Sequence, residues 1–322
     1  MGKVLFVSQN KLDRAENMAC LYNAYDGEKD YEVGLTSMLT AEIRGYSVVV
    51  CDALPSWIAF KDKVKSVVIC HGMTGNKVYG ADEDRDVDIE AFQQTDVATA
   101  ASERIIPIVA RELAIPEDRV IATGFPRTDQ YFAKKKGDGR TPMAKKRGYL
   151  YAPTFRDAEK GGWLPRIDWE VVDSLLRDNE VFVLKRHYFT TGSLLGSDFK
   201  HVIEIDPMEP LTPYLIDCDA LLTDYSSCMT DAYLMGKPVV LAVDDKEAFL
   251  ADRPMYYPYP ETYCSRWINA GGNEEALVNA MREAVENGIG PVEEEYCDLT
   301  AGACDGHSVE RTVRLVKELA NG

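Results

Sequence analysis

Short runs of apolar, mostly β-branched residues recur along this chain with no polar residue alternating between them. A strand with one face in water alternates polar and apolar residues. These runs do not, so they predict strands covered on both faces, the pattern of parallel sheets flanked by helices. In the first half the runs are Lys3–Val7, Tyr46–Cys51, Ser66–Cys70, Val97–Ala101 and Val120–Ala122. Helical patterns lie between them, at Glu103–Leu113 and roughly Leu35–Gly45. The fold class expected is α/β.

The pattern breaks at 134–147, where seven basic residues stand with one acid, two glycines and a proline. This stretch reads as a hinge between domains, with a basic strip for an anionic acceptor as the alternative. The strand pattern then restarts at Gly148–Ala152, Val181–Lys185, Val202–Ile205, Ala220–Thr223 and Val239–Val243, with a helix at Trp169–Arg177. We expect a first domain over 1–135 and a second over 148–305. A last helix within 306–322 is expected to pack back toward the first. Two successive α/β halves suggest Rossmann-like domains with the active site in a cleft between them, at the carboxyl ends of the strands.

At 322 residues the chain has room for two such cores. No apolar run reaches the length of a membrane span, and the apolar stretch after Met1 is too short for a signal peptide. Phe6 occupies the place where a myristoylation signal carries Ser or Thr. A formal net charge of -17 argues against nucleic acid as partner and against more than peripheral association with anionic lipid. The eight cysteines form no C-x-x-C pair and several lie in apolar runs, which predicts buried thiols in a reducing compartment. A Cys297–Cys304 disulfide is the alternative.

The most specific chemical signal is the segment Leu221–Ser227. It is a buried strand ending in Thr223, Asp224, Ser226 and Ser227, followed by a helix from about Cys228 to Met235 that Gly236 and Pro238 stop. Ser226 and Ser227 therefore stand at a helix N-terminus, whose open N–H groups and positive dipole end suit a phosphate. Read structurally, one of them simply caps the helix. Upstream, His187 follows Lys185 and Arg186 at the end of another strand. It is either a site residue or a structural histidine. Arg156 ends the first strand of this half and is either a bidentate phosphate grip or an ordinary surface arginine. In the first half His71 precedes Gly72, which lets the backbone turn sharply and exposes the imidazole. An imidazole titrates near neutrality and is the usual general base for a hydroxyl; the alternative is a turn-stabilising histidine. Arg127 either faces the cleft or forms a structural turn with Asp129. Asp224 and Asp231 would be anions beside a bound phosphate. They are therefore expected to bond backbone amides or a ribose hydroxyl, or to orient a histidine. No ligand cluster at metal spacing is visible, so no cofactor is expected, and a Mg²⁺ held loosely on a substrate's phosphates is compatible with that.

Taken in order, five segments resemble the successive motifs of the CDP-glycerol glycerophosphotransferase family, the teichoic acid polyol-phosphate transferases. They are H-G at 71–72, G-F-P-R-T-D at 124–129, Y-A-P-T-F-R-D at 151–157, L-K-R-H-Y at 184–188 and L-T-D-Y-S-S-x-x-x-D-x-x-x-x-G-K-P at 222–238. The resemblance implies a GT-B-like fold and transfer of glycerol or ribitol phosphate from CDP-glycerol or CDP-ribitol to a hydroxyl, with release of CMP. The acceptor would be a glycan, a polyol-phosphate or a lipid-linked molecule, met in the cytoplasm or at the inner face of the cell membrane. By the same resemblance His71 takes the acceptor proton and His187 assists departure of CMP. Arg127, Arg156, Thr223, Asp224, Ser226, Ser227 and Asp231 then serve the donor. One departure stands out: the family's W-H-G-T-P-L-K reads C-H-G-M-T-G-N-K here, so Asn76 holds the lysine's place and Lys77 follows it. A GT-B glycosyltransferase using a nucleotide sugar would share this architecture. A non-catalytic nucleotide-binding descendant is the third reading, against which the two histidines speak.

Overall fold

The computed structural model describes residues 2–8, 11, 16–33, 43, 45–52, 64–69, 75–82, 89–156, 166–187, 195 and 199–322. The chain divides into two compact units, residues 1–133 with 298–322, and residues 134–297. Among the described residues no helix is long and apolar enough to cross a membrane.

The first unit holds a parallel sheet of strands β1 (Val4–Ser8), β2 (Lys29–Val33), β3 (Val48–Cys51), β4 (Lys65–Ile69), β5 (Val97–Ala100) and β6 (Val120–Ala122). Their order is β2-β1-β3-β4-β5-β6. β1 and β3 are buried from end to end, as unbroken apolar runs require. Alternate residues Val4, Phe6, Val48, Val50, Val67 and Ile69 pack against Met18 and Leu21 of the helix Glu16–Ala24 and Val316 and Ala320 of the helix Ser308–Asn321. β2 was not anticipated. It is an edge strand, only partly buried, and its sequence K-D-Y-E-V carries no apolar run.

The C-terminal helix is tied to this unit through the segment 124–129. Gly124 has φ +80°, and a Cβ there would sit 2.5 Å from the Ala303 carbonyl oxygen. The Phe125 amide donates to Cys304 Sγ (3.3 Å). Asp129 receives the Ser308 and Val309 amides at 2.9 and 2.8 Å, so it caps a helix far along the chain. Arg311 of that helix binds Asp305 with two N–H groups and donates to the Thr123 carbonyl. Cys297 and Cys304 are both free thiols, so the disulfide alternative does not apply.

The second unit holds β7 (Arg147–Tyr151), β8 (Glu180–Leu184), β9 (Val202–Glu204), β10 (Ala220–Thr223), β11 (Val239–Ala242) and β12 (Trp267–Ile268), all parallel. The order is β12-β11-β10-β7-β8-β9. Counted within the unit this is 6-5-4-1-2-3, the doubly wound nucleotide-binding order, which reverses direction between β7 and β10. The segment expected as a hinge belongs to this unit and is held in place. Asp217 accepts from the amides of Gly137, Gly139 and Thr141 and from the Thr141 hydroxyl. Lys136 donates to the Lys146 carbonyl and pairs with Asp219. Residues 298–305, expected in the second domain, lie in the first unit.

Candidate active site

In a doubly wound sheet the two chains leaving adjacent strands at the reversal point diverge to opposite faces and open a crevice at the carboxyl ends. Here those chains are 152–156 after β7 and 224–227 after β10. The residues singled out in the second half all fall on this end of the sheet or in the helix that follows.

Thr223 closes β10 with its hydroxyl donated to the Ala152 carbonyl (2.6 Å), which stitches β10 to the end of β7. Asp224 is fully buried. One of its carboxylate oxygens accepts the Thr154 amide (2.7 Å) and the other accepts Arg156 Nη2 (2.8 Å). Of the roles expected for Asp224, the backbone-amide bond is the one formed. Ser227 takes the N-cap position of the helix Cys228–Leu234, with helical φ and ψ, yet its side chain makes no capping bond. Ser226 supplies the weaker local bond instead, its Oγ accepting the Cys228 amide at 3.3 Å. Asp231 is buried within that helix.

Of the two forms expected for Arg156, the structure excludes the surface one. Its side chain is 6% exposed, so it is no surface residue. Nε donates to Asp245 Oδ2 at 2.6 Å, Nη2 to Asp245 Oδ1 at 3.1 Å and to Asp224 Oδ2, and Nη1 to the Thr154 carbonyl at 2.7 Å. The guanidinium also lies over the rings of Tyr225 and Phe249, at 5.0 and 4.9 Å, and those rings stack at 3.7 Å. Burial alone pulls the guanidinium pKa down, but Asp224 and Asp245 outweigh it and the net shift is upward. The Tyr225 hydroxyl donates to Asp245 Oδ1 (2.9 Å); burial first, then that carboxylate, raises its pKa.

His187 follows β8, half-buried, with its ring 5.9 Å from Phe155 at a tilt of 43°. Since β7 and β8 are neighbours, this contact sets the imidazole beside the segment that carries Thr154 and Arg156. Its two preceding cations turn elsewhere: Lys185 Nζ donates to the Pro207 carbonyl, and Arg186 pairs with the half-buried Glu204. The structure therefore brings His187, Arg156, Thr223, Asp224, Ser226 and Ser227 to one end of one sheet.

Arg127 belongs to the first unit, in the turn Pro126–Thr128. It is buried, its amide donates to Asn17 Oδ1 (3.0 Å), its guanidinium lies 4.9 Å over Phe125, and Nε is 3.8 Å from Glu16. Asp129 closes that turn, its amide donating to the Pro126 carbonyl, and its carboxylate caps the C-terminal helix. His71 lies outside the described residues. Among the described residues no group of three or more His, Cys, Asp or Glu is placed to hold a metal ion. Asp245 and the Tyr225 hydroxyl were missed from sequence. The only signal was an acidic pair, Asp244-Asp245, at the end of an apolar strand, and that reads equally well as a turn.

The comparisons agree with this geometry. A family model described as CDP-Glycerol:Poly(glycerophosphate) glycerophosphotransferase matches residues 3–318. The teichoic acid ribitol-phosphate polymerase TarL of Staphylococcus aureus is 30% identical over 232 residues, 67% of this chain and 40% of TarL. The teichoic acid glycerol-phosphate primase of Bacillus subtilis is 25% identical over 283 residues, 83% of this chain and 71% of the primase. This chain thus spans half or less of the first curated relatives it matches, at 40%, 44% and 50% of their lengths. Among solved structures, the wall teichoic acid polymerase TagF superposes with a TM-score of 0.76 at 18% identity, covering 99% of this chain and 89% of that one. A Staphylococcus aureus MnaA–UDP structure gives 0.58 at 14%, covering 100% and 97%. At such identities the likeness carries the fold, two Rossmann-like units of the GT-B kind. The chain belongs to the CDP-glycerol:poly(glycerophosphate) glycerophosphotransferase family.

Proposed function

We propose that this protein transfers glycerol phosphate or ribitol phosphate from a CDP-activated donor to a hydroxyl of a polyol-phosphate, glycan or lipid-linked acceptor. The observation that supports this most is the family match along residues 3–318, together with a nucleotide-binding strand order whose reversal point carries the L-T-D-Y-S-S segment. On this proposal the acceptor oxygen attacks the β-phosphorus of the donor. A new P–O bond forms, the bond from that phosphorus to the bridging oxygen breaks, and CMP leaves with the bridging oxygen and its electron pair. His71 accepts the acceptor's proton, and His187 donates to the departing phosphate. Ser226, Ser227 and the amides at the start of the helix Cys228–Leu234 receive the diphosphate, with Arg127 as a further cation for it. Thr223, Asp224 and Asp231 hold this frame from behind. Positioning and charge stabilisation supply most of the acceleration in such phosphoryl transfers. The proposal assigns no resident cofactor; a Mg²⁺ riding on the donor diphosphate would arrive with the substrate. We place the reaction in the cytoplasm, at the inner face of the membrane where a lipid-linked acceptor is presented.

The test is nucleotide release. The protein is incubated with CDP-glycerol, CDP-ribitol or a UDP-sugar, with and without synthetic polyol-phosphate acceptors, and the products are weighed by mass spectrometry. CMP release with a product heavier by one polyol phosphate is expected from one of the CDP donors. Turnover of the UDP-sugar alone would replace this proposal with a glycosyltransferase.

A further inference from the structure

The family resemblance put Arg156 on the donor phosphates, but the geometry points to a different role. We infer that Arg156 is a positioning residue rather than a phosphate ligand, and that Asp245 is the second anchor through which it works. The inference rests on taking the reversal point of the second sheet as the donor site.

A guanidinium offers five N–H groups, and a bidentate grip on phosphate needs two of them side by side. Four bonds to Asp245 Oδ2, Asp245 Oδ1, Asp224 Oδ2 and the Thr154 carbonyl use four of the five among the described residues. Tyr225 and Phe249, stacked on each other at 3.7 Å, crowd one side of the guanidinium as well. What remains is too little for a clamp, and two carboxylates against one cation leave the cluster with surplus negative charge, which repels a diphosphate.

The same bonds make the group an effective brace. Arg156 follows β7, Asp224 follows β10 and Asp245 follows β11, so one cation joins the loops of three strands across the reversal point. Two loops are fixed by it. In the first, Asp224 holds the Thr154 amide while Arg156 holds the Thr154 carbonyl. The Thr154 hydroxyl is itself buried and has no hydrogen-bond partner among the described residues. In the second, Asp245 holds the Tyr225 hydroxyl and Arg156 lies on its ring, immediately before Ser226 and Ser227. Phe155, between Thr154 and Arg156, is the residue against which His187 rests. A shift of this brace therefore moves the serines and the imidazole together.

A double-mutant cycle on the full chain with its donor and acceptor tests this. Asp245→Asn keeps the side chain's size and an acceptor for Tyr225 while removing the charge, and Arg156→Lys keeps the charge while removing the fork. Each is expected to lower kcat by roughly ten- to a hundredfold, the scale of a small misplacement of reacting groups. The donor KM should move by less than about threefold, and the double variant should lose no more than the worse single. A phosphate clamp gives the reverse: Arg156→Lys raises the donor KM, Asp245→Asn is silent, and losses multiply in the double variant. That result overturns the inference.

Amide exchange on the ligand-free protein provides a second measurement. In Asp245→Asn the amides of Thr154 and of 224–228 should exchange about tenfold faster than in the parent, with those of β8 unchanged. Unaltered exchange at 154 and 224–228 also overturns the inference. If Asp245→Asn does not fold, Tyr225→Phe takes its place in this measurement, since it removes one bond to Asp245 and leaves the ring stack, with faster exchange at 224–228 expected. Should the unsubstituted protein turn over neither CDP-glycerol nor CDP-ribitol, the donor assignment fails by itself, and the exchange data decide separately whether the brace holds these loops.

Discussion

At the scale of single residues, the two serines show how one motif divides its work. Ser226 accepts the Cys228 amide in a long bond, while the Ser227 hydroxyl makes no capping bond at all. A capping role therefore accounts poorly for Ser227, and on the proposed function its hydroxyl turns to the donor diphosphate. Each hydrogen bond to a charged group contributes about 1.5–3 kcal/mol, so removing both hydroxyls should weaken donor binding by roughly a hundredfold or more. Calorimetric titration of the Ser226→Ala/Ser227→Ala variant with CDP-glycerol and CDP-ribitol measures this directly. Unchanged affinity for whichever donor binds the parent would reject the assignment. The place of the serines was legible in the sequence, because a buried apolar run ends just before them and a helix pattern begins just after. Asp245 was not, because nothing local marks it. Its partners, Arg156 and Tyr225, lie 89 and 20 residues away and meet it only once the sheet has formed.

At the scale of elements, the buried strands could be read because both faces of each are covered, which erases polar alternation from the sequence. The edge strand β2 escaped for the opposite reason: half in water, it keeps its charged residues. The basic stretch 134–147 begins where the second unit begins, as the break in the strand pattern suggested, but its anchoring was not legible, because charge and glycine signal exposure and say nothing of what holds the backbone. A single buried carboxylate, Asp217, gathers its amides. The segment 124–129 carries a comparable surprise. Its motif residues hold the C-terminal helix, and two glycines separate this role from simple turn formation. Gly124 needs its positive φ and has the Ala303 carbonyl against it, whereas Gly137, at φ +99°, has nothing within 4 Å of a Cβ. Gly137→Ala should cost only the strain of a left-handed alanine, about 1–2 kcal/mol, while Gly124→Ala adds a steric clash with backbone and should cost more than about 3 kcal/mol. Asp129→Ala, which removes the remote cap, should cost about 1–2 kcal/mol. Urea unfolding of the three variants gives the ranking. A Gly124→Ala protein as stable as Gly137→Ala would mean that the close approach to Ala303 yields without cost.

At the scale of the whole molecule, two sheets with one strand logic were foreseeable from the repeated apolar runs, and the return of the C-terminal helix to the first unit was expected from sequence. How each unit is closed was not foreseeable, because the second unit uses buried carboxylates bonded to remote chain. Glu180 accepts from the Tyr149 hydroxyl, from the Arg177 amide and from Arg282 on the helix Glu274–Asn287. Glu293 receives the Ser265 amide and hydroxyl, and Asp217 the loop described above. Burial raises each of these pKa values, yet their hydrogen bonds and, for Glu180, the Arg282 charge prevail. All three end below their ordinary values, Glu180 at about 2 from 4.5. A carboxyl whose folded pKa is depressed adds stability that is complete above its unfolded pKa and vanishes as pH falls through the folded one. For Glu180 that is a contribution of about 3 kcal/mol, present above pH 4.5 and lost progressively toward pH 2. Urea midpoints measured from pH 7 to pH 2.5 should therefore be flat down to about pH 5 and then drop steeply. In Glu180→Gln the drop should be shallower, because a group that cannot ionise binds no proton on unfolding or folding. If the variant loses stability at pH 7 but keeps the full acid slope, the acid sensitivity resides elsewhere than in the Glu180–Arg282 pair.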